Sequence, residues 1–217
     1  MQGSTQKTFE QQRGRGWRSG VPLMPLATVA AGFLGAVGLR RRGRSRDRRS
    51  DRHLAGLEEA GYVVLHGRRL AEAGDTIDHL LIGPGGVFVV QTKPWRGQLA
   101  VDGDRLFVDG RLRDGGAADV ARVAVAVQRA FIGDLKPLGV TITPILCFPA
   151  MDLPLFKGSI RGVAVTGGRG LSRAIRARPV LLTSDQVLEI AMAADELLLP
   201  ATRPRPRPRP RPRVRRS

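Results

Sequence analysis

The chain predicts an α/β sandwich around a mixed central sheet, flanked by helices. Three observations carry this. Helix-period and strand-period segments alternate along the middle of the chain. Two strongly apolar strands flank Gly83-Pro84-Gly85-Gly86, with both faces apolar, as a central buried hairpin requires. And residues 54–200 carry 16 basic and 16 acidic side chains, so this stretch is neutral, although the chain as a whole is at +17.

The elements follow in order. Residues 47–60 predict a helix, with Leu54 and Leu57 on one face and Gly61 as the stop. Tyr62–His66 predicts a strand. Thr76–Ile82 and Val87–Lys93 predict the hairpin, and Leu99–Val101 and Leu106–Val108 a shorter one around Asp102-Gly103-Asp104. Residues 117–135 predict a helix, with Val120, Val123, Ala124, Val127 and Phe131 on one face. Strands at Val140–Phe148 and Val163–Val165 follow. Helices at 171–177 and 184–198 end the domain, the last opened by Ser184 and Asp185. Cys147 is the only cysteine, so no intramolecular disulfide forms, and its apolar run reads as core. Gly167-Gly168-Arg169-Gly170 lacks the ending of a phosphate loop and reads as a turn.

The positive charge lies in the flanks. Residues 1–39, 40–53 and 201–217 carry +3, +6 and +8. Residues 1–19 are polar and aperiodic, the composition of a disordered segment. Gly20–Leu39 holds no charged residue, and as a helix it would span about 30 Å, the thickness of a bilayer's hydrocarbon core. This reads as a transmembrane helix. A signal peptide or a buried helix is the alternative, but Arg40-Arg41-Arg42 follows at once, which favours a stop-and-anchor segment. The basic segment 40–53 then lies at the membrane and leads into the first helix. The positive-inside rule puts the domain on the cytoplasmic side. The tail alternates Arg and Pro from Arg203 to Arg213, which excludes helix and sheet. Basic flanks of this kind attract polyanions, whether nucleic acid or anionic lipid.

The chemistry concentrates in the hairpin. Centring the turn between Pro84 and Gly85 sets Asp78 opposite Gln91, and puts Asp78, Gln91 and Lys93 on one face at the hairpin's open end. A charged Asp and Lys beside an apolar core call for a partner or a task. A mutual ion pair is the structural option. The other is catalytic: an Asp on one strand, with an acceptor and a Lys two apart on the next, resembles the PD-(D/E)xK nuclease arrangement. Among the aromatic and imidazole residues, Trp95 reads as cover for the core's edge or as a surface for base stacking. His53, His66 and His79 share no metal-ligand spacing.

The wider run resembles the nuclease-related domain (NERD) family. It comprises Gly61-Tyr-Val-Val-Leu-His66, Ile77-Asp78-His79, and Gly83-Pro-Gly-Gly-Val-Phe-Val-Val-Gln91-Thr-Lys93 continued by Pro94-Trp95-Arg96-Gly97. The resemblance covers about 43–150 and implies a PD-(D/E)xK nuclease-like α/β sandwich over 43–200. It implies Mg²⁺, or Mn²⁺, held by Asp78, the Gln91 side-chain oxygen, the Thr92 carbonyl and Asp47, with Lys93 on the attacking water. Gln128 falls where the family tends to have Gln. Two positions depart from the family. Gln91 stands where an acidic residue is common, and Arg46-Asp47 where Gly-Glu is usual. The functional expectation is a membrane-anchored, Mg²⁺-dependent nuclease acting on DNA or RNA. The alternative is a catalytically inactive, membrane-tethered module that binds nucleic acid or serves as a scaffold.

Overall fold

The neutral, apolar middle of the chain builds one seven-stranded mixed sheet between two layers of helix. The computed structural model describes residues 48–70, 74–131, 133, 136–151, 153 and 159–201. Gly20–Leu39, Asp47 and the Arg-Pro tail lie outside the described residues, and no described helix is long and apolar enough to cross a membrane.

In chain order the elements are α1 (Arg48–Glu59), β1 (Val63–Leu70), β2 (Thr76–Gly83), β3 (Gly86–Thr92), β4 (Leu99–Asp102), β5 (Arg105–Val108), β6 (Arg111–Leu112), α2 (Gly115–Ala130), β7 (Ile142–Phe148), β8 (Ser159–Ile160), β9 (Val163–Gly167), α3 (Gly168–Arg176), α4 (Ser184–Leu197) and β10 (Leu198–Pro200). The main sheet runs β10-β1-β2-β3-β7-β9-β8, and β4-β5-β6 forms a small antiparallel sheet. β3 pairs parallel with β7, which a crossover connection makes possible; the small sheet and α2 are that crossover.

The hairpin has the expected register, from Gly83↔Gly86 to His79↔Val90. Its two faces divide as the alternation requires. Leu80, Ile82, Val87 and Val89 meet Val123 and Val127 of α2 and Ile190 and Ala194 of α4. Leu81, Phe88 and Val90 meet Leu54 and Leu57 of α1 and Leu171 and Ile175 of α3. Both faces are covered, so the strands read as near-continuous apolar runs. Cys147 is buried in the second cluster, as its neighbours imply. The turn is shaped by Tyr62. Its hydroxyl accepts from Gly85 N–H at 3.1 Å and donates to the Ile175 carbonyl at 3.2 Å. A Cβ on Gly83 would stand 2.1 Å from the Tyr62 ring, so only glycine fits there.

Several boundaries differ from expectation. β1 runs past His66 because Gly67, at φ +54, lets the strand bend and continue to Leu70. There Arg68 is fully buried and pairs with Asp195 of α4 at 2.8 Å. α2 covers 115–130 rather than 117–135. α3 begins at Gly168, inside the stretch expected to be a turn. α4 is capped by Thr183, not Ser184: the Thr183 hydroxyl accepts from Gln186 N–H, and the Gln186 side chain accepts from Thr183 N–H. β6 and β8 are two residues each, too short to show a period. The helix expected over 184–198 ends at Leu197, and Leu198 opens β10, which was not expected and whose register against Arg68–Leu70 makes it an edge strand, where Pro200 is tolerated.

Candidate active site

The site begins where the central hairpin comes apart. β2 and β3 form a ladder only as far as His79↔Val90, while β2 stays with β1 to Thr76 and β3 stays with β7 to Thr92↔Cys147. Beyond that point side chains replace the ladder. Asp78 Oδ2 accepts from the Thr92 backbone N–H at 2.8 Å and from the Thr92 hydroxyl at 2.9 Å. The Gln91 amide nitrogen donates to the Thr76 carbonyl. The parting strands open a cleft of about 700 Å³, lined by Asp78, Gln91, Thr92 and Lys93, with Asp119 and Arg122 facing them from α2.

The charges in the cleft are paired in a definite way. Lys93 Nζ lies 3.8 Å from Asp119 Oδ2, so its carboxylate neighbour is on α2 and not Asp78. Both are partly open to solvent, at 28% and 58% exposure, so this is a surface contact and not a buried ion pair. Arg122 reaches across to Asp75, donating to both of its oxygens at 2.7 and 2.6 Å. Asp78, which lines the cleft, accepts no hydrogen bond through Oδ1 among the described residues.

This donor set is one for hard cations. Of the cleft's three carboxylates, Asp75 faces Arg122 and Asp119 faces Lys93, which leaves Asp78 beside a neutral amide oxygen on Gln91, whose nitrogen is committed to Thr76. Among the described residues no three His, Cys, Asp or Glu side chains converge to hold a metal. Mg²⁺ keeps several waters and is commonly held by one or two carboxylates plus a substrate phosphate. The residues fit an ion that arrives with its phosphate, and do not form a closed protein cage.

Residues 42–149 match the family model of the nuclease-related domain, NERD. This stretch is a nuclease-related domain. No curated protein and no solved structure matches the chain.

The NERD match, whose general class is the PD-(D/E)xK superfamily, takes in α1, the strands β1–β7 and α2, and with them every cleft residue named above. The segment after it supplies β8, β9, α3, α4 and β10, which widen the sheet and cover its faces. Of the residues singled out in the sequence, Asp78, Gln91, Thr92 and Lys93 come together in this nuclease-related fold. Thr92 also holds Asp78 with its N–H and hydroxyl, beyond the carbonyl role expected of it. Gln128 does not join them: its side-chain oxygen accepts from Ile142 N–H at 2.7 Å, fixing the start of β7 to α2. Asp119, Arg122, Asp75 and Arg96 line the cleft and were not anticipated. The three-residue spacing of Asp119 and Arg122 on the polar side of α2 was the available signal.

Proposed function

We propose that this domain hydrolyses phosphodiester bonds of DNA or RNA with Mg²⁺ or Mn²⁺. The observation that supports it is the meeting of Asp78, Gln91 and Lys93 on one cleft wall, at the point where β2 and β3 part. Asp78, the Gln91 side-chain oxygen and the Thr92 carbonyl would hold the ion, with Asp47 as a further ligand. When bound, the ion supplies charge stabilisation at phosphorus and acidifies a water. The chain's own residues do the rest. Thr92 fixes the Asp78 carboxylate through Oδ2, which leaves Oδ1 without a hydrogen bond among the described residues and available to the ion. Lys93 presents a cation to the attacking water and to the charge that develops on the phosphoryl oxygens. Asp119 steadies the Lys93 ammonium until a phosphate competes for it.

In this reading residues 20–39 anchor the protein in a membrane with the domain on the cytoplasmic side, and the basic flanks concentrate nucleic acid or anionic lipid. Retention in the membrane fraction through carbonate and high salt tests the anchor; release by salt alone refutes it. Cleavage is tested on plasmid and single-stranded substrates with and without Mg²⁺ or Mn²⁺. Metal-dependent cutting supports the nuclease. A folded protein that binds nucleic acid and cuts nothing in either metal is instead a binding or scaffold module.

A further inference from the structure

A second hollow adjoins the cleft. Its volume is about 370 Å³, and Trp95, Arg96, Arg111 and Arg113 line it with Val108 and Asp109. Arg96 lines the cleft as well, so the two spaces share a wall. The three arginines are exposed, and none forms an ion pair among the described residues. Among the described residues one acid lines the hollow, Asp109, whose Oδ1 accepts from Gln98 N–H at 2.8 Å, so three arginines face one carboxylate there.

The hollow is built rather than incidental. Trp95 lies 5.8 Å from Phe148, centroid to centroid, which anchors the indole to the core. The Arg113 guanidinium carbon sits 5.2 Å from the Trp95 ring centroid. Asp109 and Gly110 both have positive φ, +50 and +70, and close the tight β5–β6 turn that presents Arg111. A Cβ on Gly97 would strike the Asp109 carboxylate, so glycine lets the segment after Lys93 lie against this turn.

Arginine forks match phosphate oxygens, and guanidinium and indole planes stack on unpaired bases. Trp95 follows Lys93 by two residues, at most about 7 Å of chain. We propose that this hollow takes the nucleotide next to the one being cut, with its phosphate on Arg96 and Arg111 and its unpaired base on the Trp95–Arg113 stack. The substrate strand at this position is therefore single. The inference rests on the nuclease reading of the cleft, and it adds where the strand runs and in what state.

The test must ignore the basic flanks, which bind any polyanion. Trp95 emission does so. The chain has two tryptophans, so in full-length protein carrying Trp17→Phe the signal comes from Trp95 alone. A short oligodeoxythymidylate is titrated in EDTA, which stops any cutting. A saturable quench is expected, and Arg111→Ala, which leaves the ring's own contacts in place, should move its midpoint about tenfold higher. Arg113→Ala should do the same. No quench, an equal quench by duplex of the same length, or a midpoint unmoved by both substitutions overturns the proposal. Cutting of the same oligonucleotide in Mg²⁺ is scored separately. Quench without cutting leaves this site standing and removes the nuclease; cutting without quench does the reverse.

Discussion

Asp78 Oδ2 takes two hydrogen bonds from one residue, Thr92, through its backbone N–H and its hydroxyl. The contact stands where the β2–β3 ladder would otherwise continue. It joins two parting strands and aims the carboxylate in a single gesture.

Two substitutions separate those jobs. Asp78→Asn keeps the shape but removes the charge, and cleavage should be lost while the fold survives. Thr92→Val keeps the N–H contact and deletes the hydroxyl. It should cost about 1 kcal/mol of stability and reduce cleavage without abolishing it, because Asp78 is less firmly held. Melting temperature measured beside metal-dependent cleavage checks both. Equal loss of activity in the two variants would mean that the hydroxyl does more than aim Asp78.

Lys93 gives a sharper division. Had it formed a buried pair with Asp78, removing it would cost about 3–5 kcal/mol. Its neighbour is instead Asp119, at 3.8 Å in a partly solvated setting. An exposed contact of that kind is worth about 1 kcal/mol or less. Lys93→Ala should therefore melt within a few degrees of wild type and cut nothing. Asp119→Ala should also fold normally. A Lys93→Ala protein that is unfolded at room temperature would restore the ion-pair reading.

How much of this was legible depends on which residues set each feature. The register of the hairpin follows from a four-residue Gly-Pro-Gly-Gly turn, so the meeting of Asp78, Gln91 and Lys93 could be read from spacing alone. Apolar alternation likewise assigned both faces of the hairpin correctly. Asp119 was not legible, since its place depends on how α2 crosses β3 and β7 after an intervening small sheet. The splitting of the strands was not legible either. It depends on side chains, Asp78 and Gln91, substituting for backbone bonds. Gln128 shows the reverse difficulty: a polar residue on a helix near the hairpin serves β7's backbone rather than the cleft. The short strands β6, β8 and β10 carry too few residues for a period, and exist because a neighbouring edge offers unpaired groups.

A pH effect follows from His66 and His79, which face each other across β1 and β2. Their Nδ1 atoms are 2.9 Å apart, so one ring donates and the other must accept with an unprotonated nitrogen. His79 is fully buried. Burial first, and the neighbouring His66 second, lower its pKa from 6.5 to about 3. The unfolded chain therefore binds a proton at this position between about pH 6.5 and 3 that the native state refuses. Stability from this group is fully present above pH 6.5 and declines as pH falls through that window, by several kcal/mol at the acid end, to order of magnitude. His79→Phe should flatten that part of the curve of melting temperature against pH, whatever it does at neutral pH. An unchanged acid limb would show that other groups govern it.

Gln91→Glu tests the position where this chain has Gln and the resemblance implies an acidic residue. The change adds a second negative oxygen at the cleft wall, so binding of Mg²⁺ should tighten. It also deletes a donor, because a carboxylate cannot replace the bond from the Gln91 amide nitrogen to the Thr76 carbonyl. Two acceptors then face each other where the strands part. Without metal the variant should lose about 1 kcal/mol or less, since the lost bond is exposed and water can take up the Thr76 carbonyl. With metal the new charge is neutralised, so Mg²⁺ should raise the melting temperature of Gln91→Glu more than that of wild type, and cleavage should be kept or increased. Calorimetric titration of Mg²⁺ and thermal melts with and without the ion read both halves. If Gln91→Glu neither binds Mg²⁺ more tightly nor gains more stability from it than wild type, residue 91 is no metal ligand, and its work is to tie β3 to β2.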